Sequence, residues 1–157
     1  MADVDIFIEV LPQGPVRKCR RYYIYRLECA RKGGGLHRRG GAGYRDGCSG
    51  QRIALTAMLE ALGRMARPGR IRLHSGCREI SGTAWQGWLP GWMEGGFLTA
   101  GGRPVANGDL WERLGGMLAA HSLTVEGDGY DGQDGMLRRL EEYMKEKEGG
   151  TGADEAR

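Results

Sequence analysis

The chain has 157 residues, 40% of them hydrophobic and 27% charged, which suits one modest core and leaves little room for a second domain. Glycine supplies 29 residues, more than twice ordinary usage, but with no collagen-like period or uniform low-complexity tract, so a folded chain rich in turns is expected rather than a disordered polymer. The formal charge of +3 hides a split: residues 1–78 carry 16 Lys+Arg against 6 Asp+Glu, and residues 79–157 carry 7 against 14, pointing to a polyanion partner for the first half or to self-association of opposite faces.

Val4, Ile6 and Ile8 alternate with Asp5, Phe7 and Glu9, which predicts a strand over 4–10, ended by the turn region of Pro12 and Pro15. The run Tyr22 to Leu27 predicts a second strand. Glycines 33–35 offer a turn, and a weaker third strand follows over 36–44; Gly40, Gly41 and Gly43 count against it. After Ser49, the residues Ala54, Ala57, Met58, Ala61, Leu62 and Met65 form the apolar stripe of a helix that Pro68-Gly69 stops. Ile71 and Leu73 predict a short strand, reached through a helix and so able to run parallel to the first.

Trp85, Trp88 and Trp92 stand at i, i+3 and i+7, on one helical face, with a break or kink expected at Pro90-Gly91 before the third. Asp109 opens a helix carrying Leu110, Trp111, Leu114, Met117 and Leu118. Leu123 to Val125 predict a last strand, and Met136, Leu137, Leu140, Tyr143 and Met144 a final amphipathic helix. The order βββαβααβα predicts an α/β fold with a mixed five-stranded sheet, three strands in an antiparallel meander and two α-linked strands, flanked by helices. One domain is expected over 1–148, with a flexible tail over 149–157. Cys19, Cys29, Cys48 and Cys77 lack zinc-ligand spacing, no 18-residue apolar segment occurs, and MADVDIFIEV has no basic region followed by a long apolar run. A cytoplasmic protein with reduced thiols and no membrane association is the expectation.

The string AWQGWLPGWMEGGFLTAGGRPVANGDLWERL at 84–114, with spaced tryptophans, a T-A turn, a P-V pair and D-L-W opening a helix, resembles the ribonuclease H family. QRIALTAMLEAL at 51–62 resembles its first long helix, and VDIFIEV its first strand. The resemblance implies a ribonuclease H-like fold in which Asp and Glu residues bind two Mg²⁺ ions and RNA is cut in an RNA–DNA hybrid. On that resemblance Glu9 stands at the first-strand Asp, one methylene longer. Ala54 stands at the helix Glu and Cys77 at the Asp ending the fourth strand, where a shift of register gives Gly76 or Ser75, again without a carboxylate. The family's His-bearing loop becomes EGDGYDGQDG, without His; Asp131 or Asp134 stands near the final family Asp, although Asp134 reads equally as a favourable charge at a helix N-terminus. At most two of four metal carboxylates remain. Glu9, Asp131 and Asp134 are the remnant catalytic candidates, with Glu9 and Asp134 as a weak single-ion site, and ordinary two-metal turnover is expected to be lost. No cofactor is expected, and Mg²⁺ or Mn²⁺ only where residual nuclease activity exists.

Where many family members place lysines among the tryptophans to grip DNA, this chain has Leu89, Pro90, Gly91, Met93, Glu94 and Gly95. The tryptophans read as core. Ser49, Gln51 and Arg52 leave a phosphate contact open before the first helix. Residues 17–45 hold ten Lys+Arg against one acid, Glu28, with Tyr22, Tyr23, Tyr25 and Tyr44 interleaved. Arg20, Arg21, Arg38, Arg39 and Arg52 are therefore the candidate nucleic-acid contacts, although a solvated hairpin or a protein-binding edge reads equally well. Cys77 near His74 raises a thiol-nucleophile reading, against which a strand-end cysteine reads as a small buried residue. The leading expectation is a catalytically degenerate ribonuclease H-like protein that binds RNA or an RNA–DNA hybrid. An atypical metal-dependent ribonuclease H, and a protein-interaction scaffold with a protein partner or a second copy, stay open beside it.

Overall fold

The period-two alternation at the start of the chain becomes β1 (Ala2–Leu11) in the computed structural model, which describes residues 1–14, 17–82 and 84–155, with side chains as far as 149. The meander continues as β2 (Cys19–Ala30) and β3 (Leu36–Cys48), followed by α1 (Gly50–Gly63), β4 (Gly69–Ser75) and a short α2 (Arg78–Ser81) absent from the sequence reading. Then come α3 (Ala84–Glu94), α4 (Gly108–Leu118), β5 (Ser122–Gly127) and α5 (Gln133–Glu155). The strand order is β3-β2-β1-β4-β5, with β1–β2 and β2–β3 antiparallel and β1–β4 and β4–β5 parallel. This is the mixed sheet expected. Of the tail expected from 149, the backbone to Glu155 is helical within α5, and 156–157 lie outside the described residues.

One face of the sheet makes the main core. Ile6, Ile8 and Val10 of β1, Tyr23, Tyr25 and Leu27 of β2, and Ile71 and Leu73 of β4 pack with Ile53, Ala57, Met58 and Leu62 of α1. Ser49 starts α1 by accepting the Arg52 N–H on its hydroxyl at 3.1 Å, satisfying one of the donors a helix start leaves free. The other face carries Phe7 and Glu9 and is partly covered by α5, through buried Met136 and Leu140.

The glycines that counted against β3 are what lets it pair. A Cβ on Gly43 would come within 2.6 Å of the Tyr23 Cζ, and one on Gly41 within 2.7 Å of the Tyr25 hydroxyl. The two rings therefore lie over bare β3 backbone, and the strand extends to Cys48 instead of ending near Tyr44. Gly43→Ala is expected to cost about 1–3 kcal/mol through overpacking, read as a lower urea midpoint; an unchanged midpoint would mean that the Tyr23 ring yields freely.

The expected break at Pro90 does not occur, since α3 continues to Glu94. Pro90 is exposed, so water can meet the carbonyl it leaves without an N–H, while Trp85 before it and Trp92 after it both pack on Trp111, at centroid distances of 5.9 and 5.4 Å. The reading of all three tryptophans as core is corrected at Trp88, which is 54% exposed. At 3.6 residues per turn, Leu89 and Trp92 lie closest to the direction of Trp85, and Trp88 is rotated off it by roughly 60°.

Candidate functional site

β1 delivers Glu9 to the C-terminal edge of the sheet beside the end of β4, where Ile8 pairs with Ser75. Its carboxylate is buried. It accepts the Gly76 N–H at 3.2 and 3.3 Å, the Gln133 amide at 3.3 Å and a short hydrogen bond from the Tyr130 hydroxyl. Gln133 also donates to Asp128 at 2.6 Å. Phe7 packs beside this group, stacked on His74 at 4.6 Å and tilted against Tyr130 at 5.0 Å.

The other candidate positions separate. Ala54 is fully buried in the α1 core stripe. Gly76, rather than Cys77, faces Glu9: a Cβ built on it would lie 3.0 Å from Glu9 Oε1, 3.1 Å from Asp128 Oδ1 and 2.7 Å from Gln133 Nε2. The Cys77 thiol is buried and donates to Glu79 at 3.1 Å, and burial pushes it well above the usual thiol range. No thiol–imidazole pair forms, because His74 stacks on Phe7 and meets Asp5 at 2.8 Å. Asp131 and Asp134 are exposed and line an open hollow with Arg138, and Asp134 sits in the first turn of α5. The acid that approaches Glu9 is Asp128, which sequence reasoning missed along with Tyr130 and Gln133. The available signal was the polar loop EGDGYDGQDG leading straight into a helix.

Two Mg²⁺ ions would need several open carboxylate oxygens. Here the Glu9 oxygens are taken up by protein donors, Gln133 bridges to Asp128, and among the described residues no group of three His, Cys, Asp or Glu side chains is arranged to hold a metal. The residues present do not fit the two-ion cluster that the family resemblance implies.

Burial raises the Glu9 carboxyl above its ordinary value of 4.5, against the opposite pull of Tyr130, Gly76 and Gln133. The folded state thus holds this proton more tightly than the unfolded chain does. The resulting stability is fully present below pH 4.5 and is lost as pH rises through the raised value. Glu9→Gln is expected to flatten that fall in thermal midpoints measured from pH 4 to 8; identical slopes in both proteins would show that desolvation of Glu9 does not govern the profile.

The basic candidates divide by partner. Arg21 is 1% exposed and donates to the carbonyls of Cys48, Pro12 and Arg17, so it is corrected from a nucleic-acid contact to a tie between β2, the end of β3 and the β1–β2 connection. Arg20 pairs with Asp46 and lies over the Tyr44 ring at 4.7 Å. Arg52 grips Asp109 through two hydrogen bonds of 2.9 and 3.1 Å and also meets Asn107. On β4, Arg70 and Arg72 pair across the sheet with Asp3 and Asp5 at 2.7 and 2.8 Å. Much of the first half's positive charge is therefore locally balanced, in surface pairs worth about 0–1 kcal/mol each. Tyr22, Tyr23 and Tyr25 are buried and offer no face to a base. Arg38 and Arg39 remain exposed on β3, Arg38 with Glu28 at 2.6 Å and Arg39 against His37.

No family profile matches the chain. Ribonuclease H of Nitratidesulfovibrio vulgaris strain DP4 is 38% identical over 73 residues, 46% of this chain and 47% of that protein. Ribonuclease H of Thiobacillus denitrificans is 32% identical over 89 residues, 57% of this chain and 60% of that protein. The chain thus spans about half the length of the curated relatives it matches. Among solved structures, LC9-RNase H1, described as a type 1 RNase H with the type 2 active-site motif, superposes with a TM-score of 0.66 at 21% identity, over 83% of this chain and 65% of that one. The PFV RNase H domain superposes with a TM-score of 0.55 at 13% identity, over 80% and 79%. Similar sequence over about half of the chain and the same mixed sheet with its flanking helices lead to one conclusion: the chain is related to the ribonuclease H family and has the ribonuclease H fold.

Proposed function

We infer that this is a catalytically degenerate ribonuclease H-like protein that binds RNA or an RNA–DNA hybrid without two-metal hydrolysis. The observation that carries this reading is Glu9, buried and held by Tyr130, Gln133 and the Gly76 N–H, with Ala54 and Gly76 supplying no carboxylate. A carboxylate so occupied serves as a structural acceptor joining β1 to the start of α5, and Gln133 stands where a side chain at 76 would reach. Support for nucleic acid as ligand comes from the exposed arginines of β3 and from fold neighbours solved with dsDNA and with an RNA/DNA hybrid, the foamy viral protease-reverse transcriptases. A cytoplasmic setting belongs to the same reading, as the four cysteines are unpaired and no helix among the described residues is long and apolar enough to cross a membrane.

An RNA–DNA hybrid incubated with Mg²⁺ or Mn²⁺ is expected to stay intact on a denaturing gel. Metal-dependent cleavage that disappears in Glu9→Gln would instead establish the atypical nuclease. A scaffold role for the same fold is favoured by one observation, the exposed apolar side chains of Trp88, Met93 and Leu98 at 54%, 46% and 48%; absence of binding to any nucleic acid would move the assignment there.

A further inference from the structure

We propose that a cleft between β3 and α5 binds the phosphodiester backbone of nucleic acid and reads no bases. This rests on the nucleic-acid-binding reading above and names its surface. The cleft has a volume of about 520 Å³, and its cationic side chains are Arg26, Arg38 and Arg139; Arg39 lies at its rim, but pairs with Leu27 and donates to His37 on the opposite face of the sheet. No acid lines it. Glu28 pairs with Arg38 at 2.6 Å and stands 3.7 Å from Arg26, so one of the three charges is offset.

The cleft joins the two oppositely charged halves of the sequence. Met136 and Arg139 project from one face of α5, three residues apart, toward Gly40, Gly41 and Ala42 of β3. Those three residues give a floor with almost no side chains, where a chain of phosphates can come close to the backbone. Arginines on an edge strand have another use, keeping the edge from pairing with other chains. That use does not require Arg139, which comes from a different element, is exposed, and makes no hydrogen bond or ion pair among the described residues. Arg26 adds positive charge from the neighbouring strand, its guanidinium 5.0 Å over the Phe7 ring. The aromatic that lines the cleft, Tyr25, is 5% exposed and points into the core, so no ring is offered for stacking. Cations without aromatics or a groove-reading element recognise phosphate charge and not sequence.

The test is fluorescence anisotropy on the full chain with labelled probes of about 20 nucleotides: oligo(dT), oligo(dA), oligo(U), a DNA duplex and an RNA–DNA hybrid. Binding is expected to be alike for oligo(dT) and oligo(dA) and to weaken steeply with salt. Arg139→Ala is expected to lower affinity about tenfold on every bound probe and to reduce the slope of log K against log salt by about 0.7–0.9. Arg38→Ala plus Arg139→Ala should lower both further, while Arg103→Ala, an exposed arginine elsewhere, should leave them unchanged. Wild-type binding with full affinity and slope in both cleft variants would overturn the cleft alone and leave nucleic-acid binding standing, as would a strong preference between oligo(dT) and oligo(dA). No binding of any probe by the wild type would overturn both. Circular dichroism of the variants separates loss of contact from loss of fold.

Discussion

Trp111→Ala is expected to lower the unfolding free energy by about 3–5 kcal/mol, the usual range for emptying a large buried aromatic site. Trp111 is 1% exposed and stands between Trp85 and Trp92, whose rings reach it from both sides of Pro90. Removing it takes away the surface against which the proline-containing α3 is held, so collapse around the cavity is expected to loosen α3 before it disturbs the sheet. Trp111→Phe is expected to cost much less. The indole N–H is buried without an acceptor among the described residues, so phenylalanine gives up volume but no hydrogen bond. Chemical denaturation of both variants checks this, and equal losses for Ala and Phe would show that shape, not volume, dominates the site.

Arg21→Ala is expected to cost about 1–3 kcal/mol, because it leaves the buried carbonyl of Cys48 without its donor, while the carbonyls of the exposed Pro12 and Arg17 can turn to water. Arg21→Lys should recover only part of this, since an ammonium cannot reproduce the planar fork that meets several carbonyls at once. The consequence for binding studies is direct. Arg21 variants are expected to lose nucleic-acid affinity only in proportion to their loss of folded protein, whereas Arg139→Ala should lose affinity with its thermal midpoint unchanged. An Arg21→Ala protein that melts like the wild type but binds weakly would return Arg21 to the binding surface.

Patterning alone determined the element order apart from the short α2, the mixed five-stranded sheet and the α1 core stripe, because period two and period 3.6 are local properties that one buried face imposes on consecutive residues. The resemblance at 84–114 added the fold family. The replacement of a carboxylate by Ala54 was legible as well, because no arrangement turns a methyl group into a ligand. What the tertiary structure alone decided concerns partners distant in sequence. Glu9 meets Tyr130 and Gln133 more than 120 residues away, and Gly76 rather than Cys77 faces it, since strand pairing sets which residue stands at the sheet edge. The charge asymmetry was visible in the sequence, but not which arginines carry it outward. Arg21 is buried by carbonyls from three places in the chain, Arg70 and Arg72 are balanced across a parallel strand pair, and Arg139, from the acidic half, joins Arg26 and Arg38 of the basic half. Net charge adds up along a sequence, whereas an electrostatic surface depends on which charges the fold leaves unpaired and side by side.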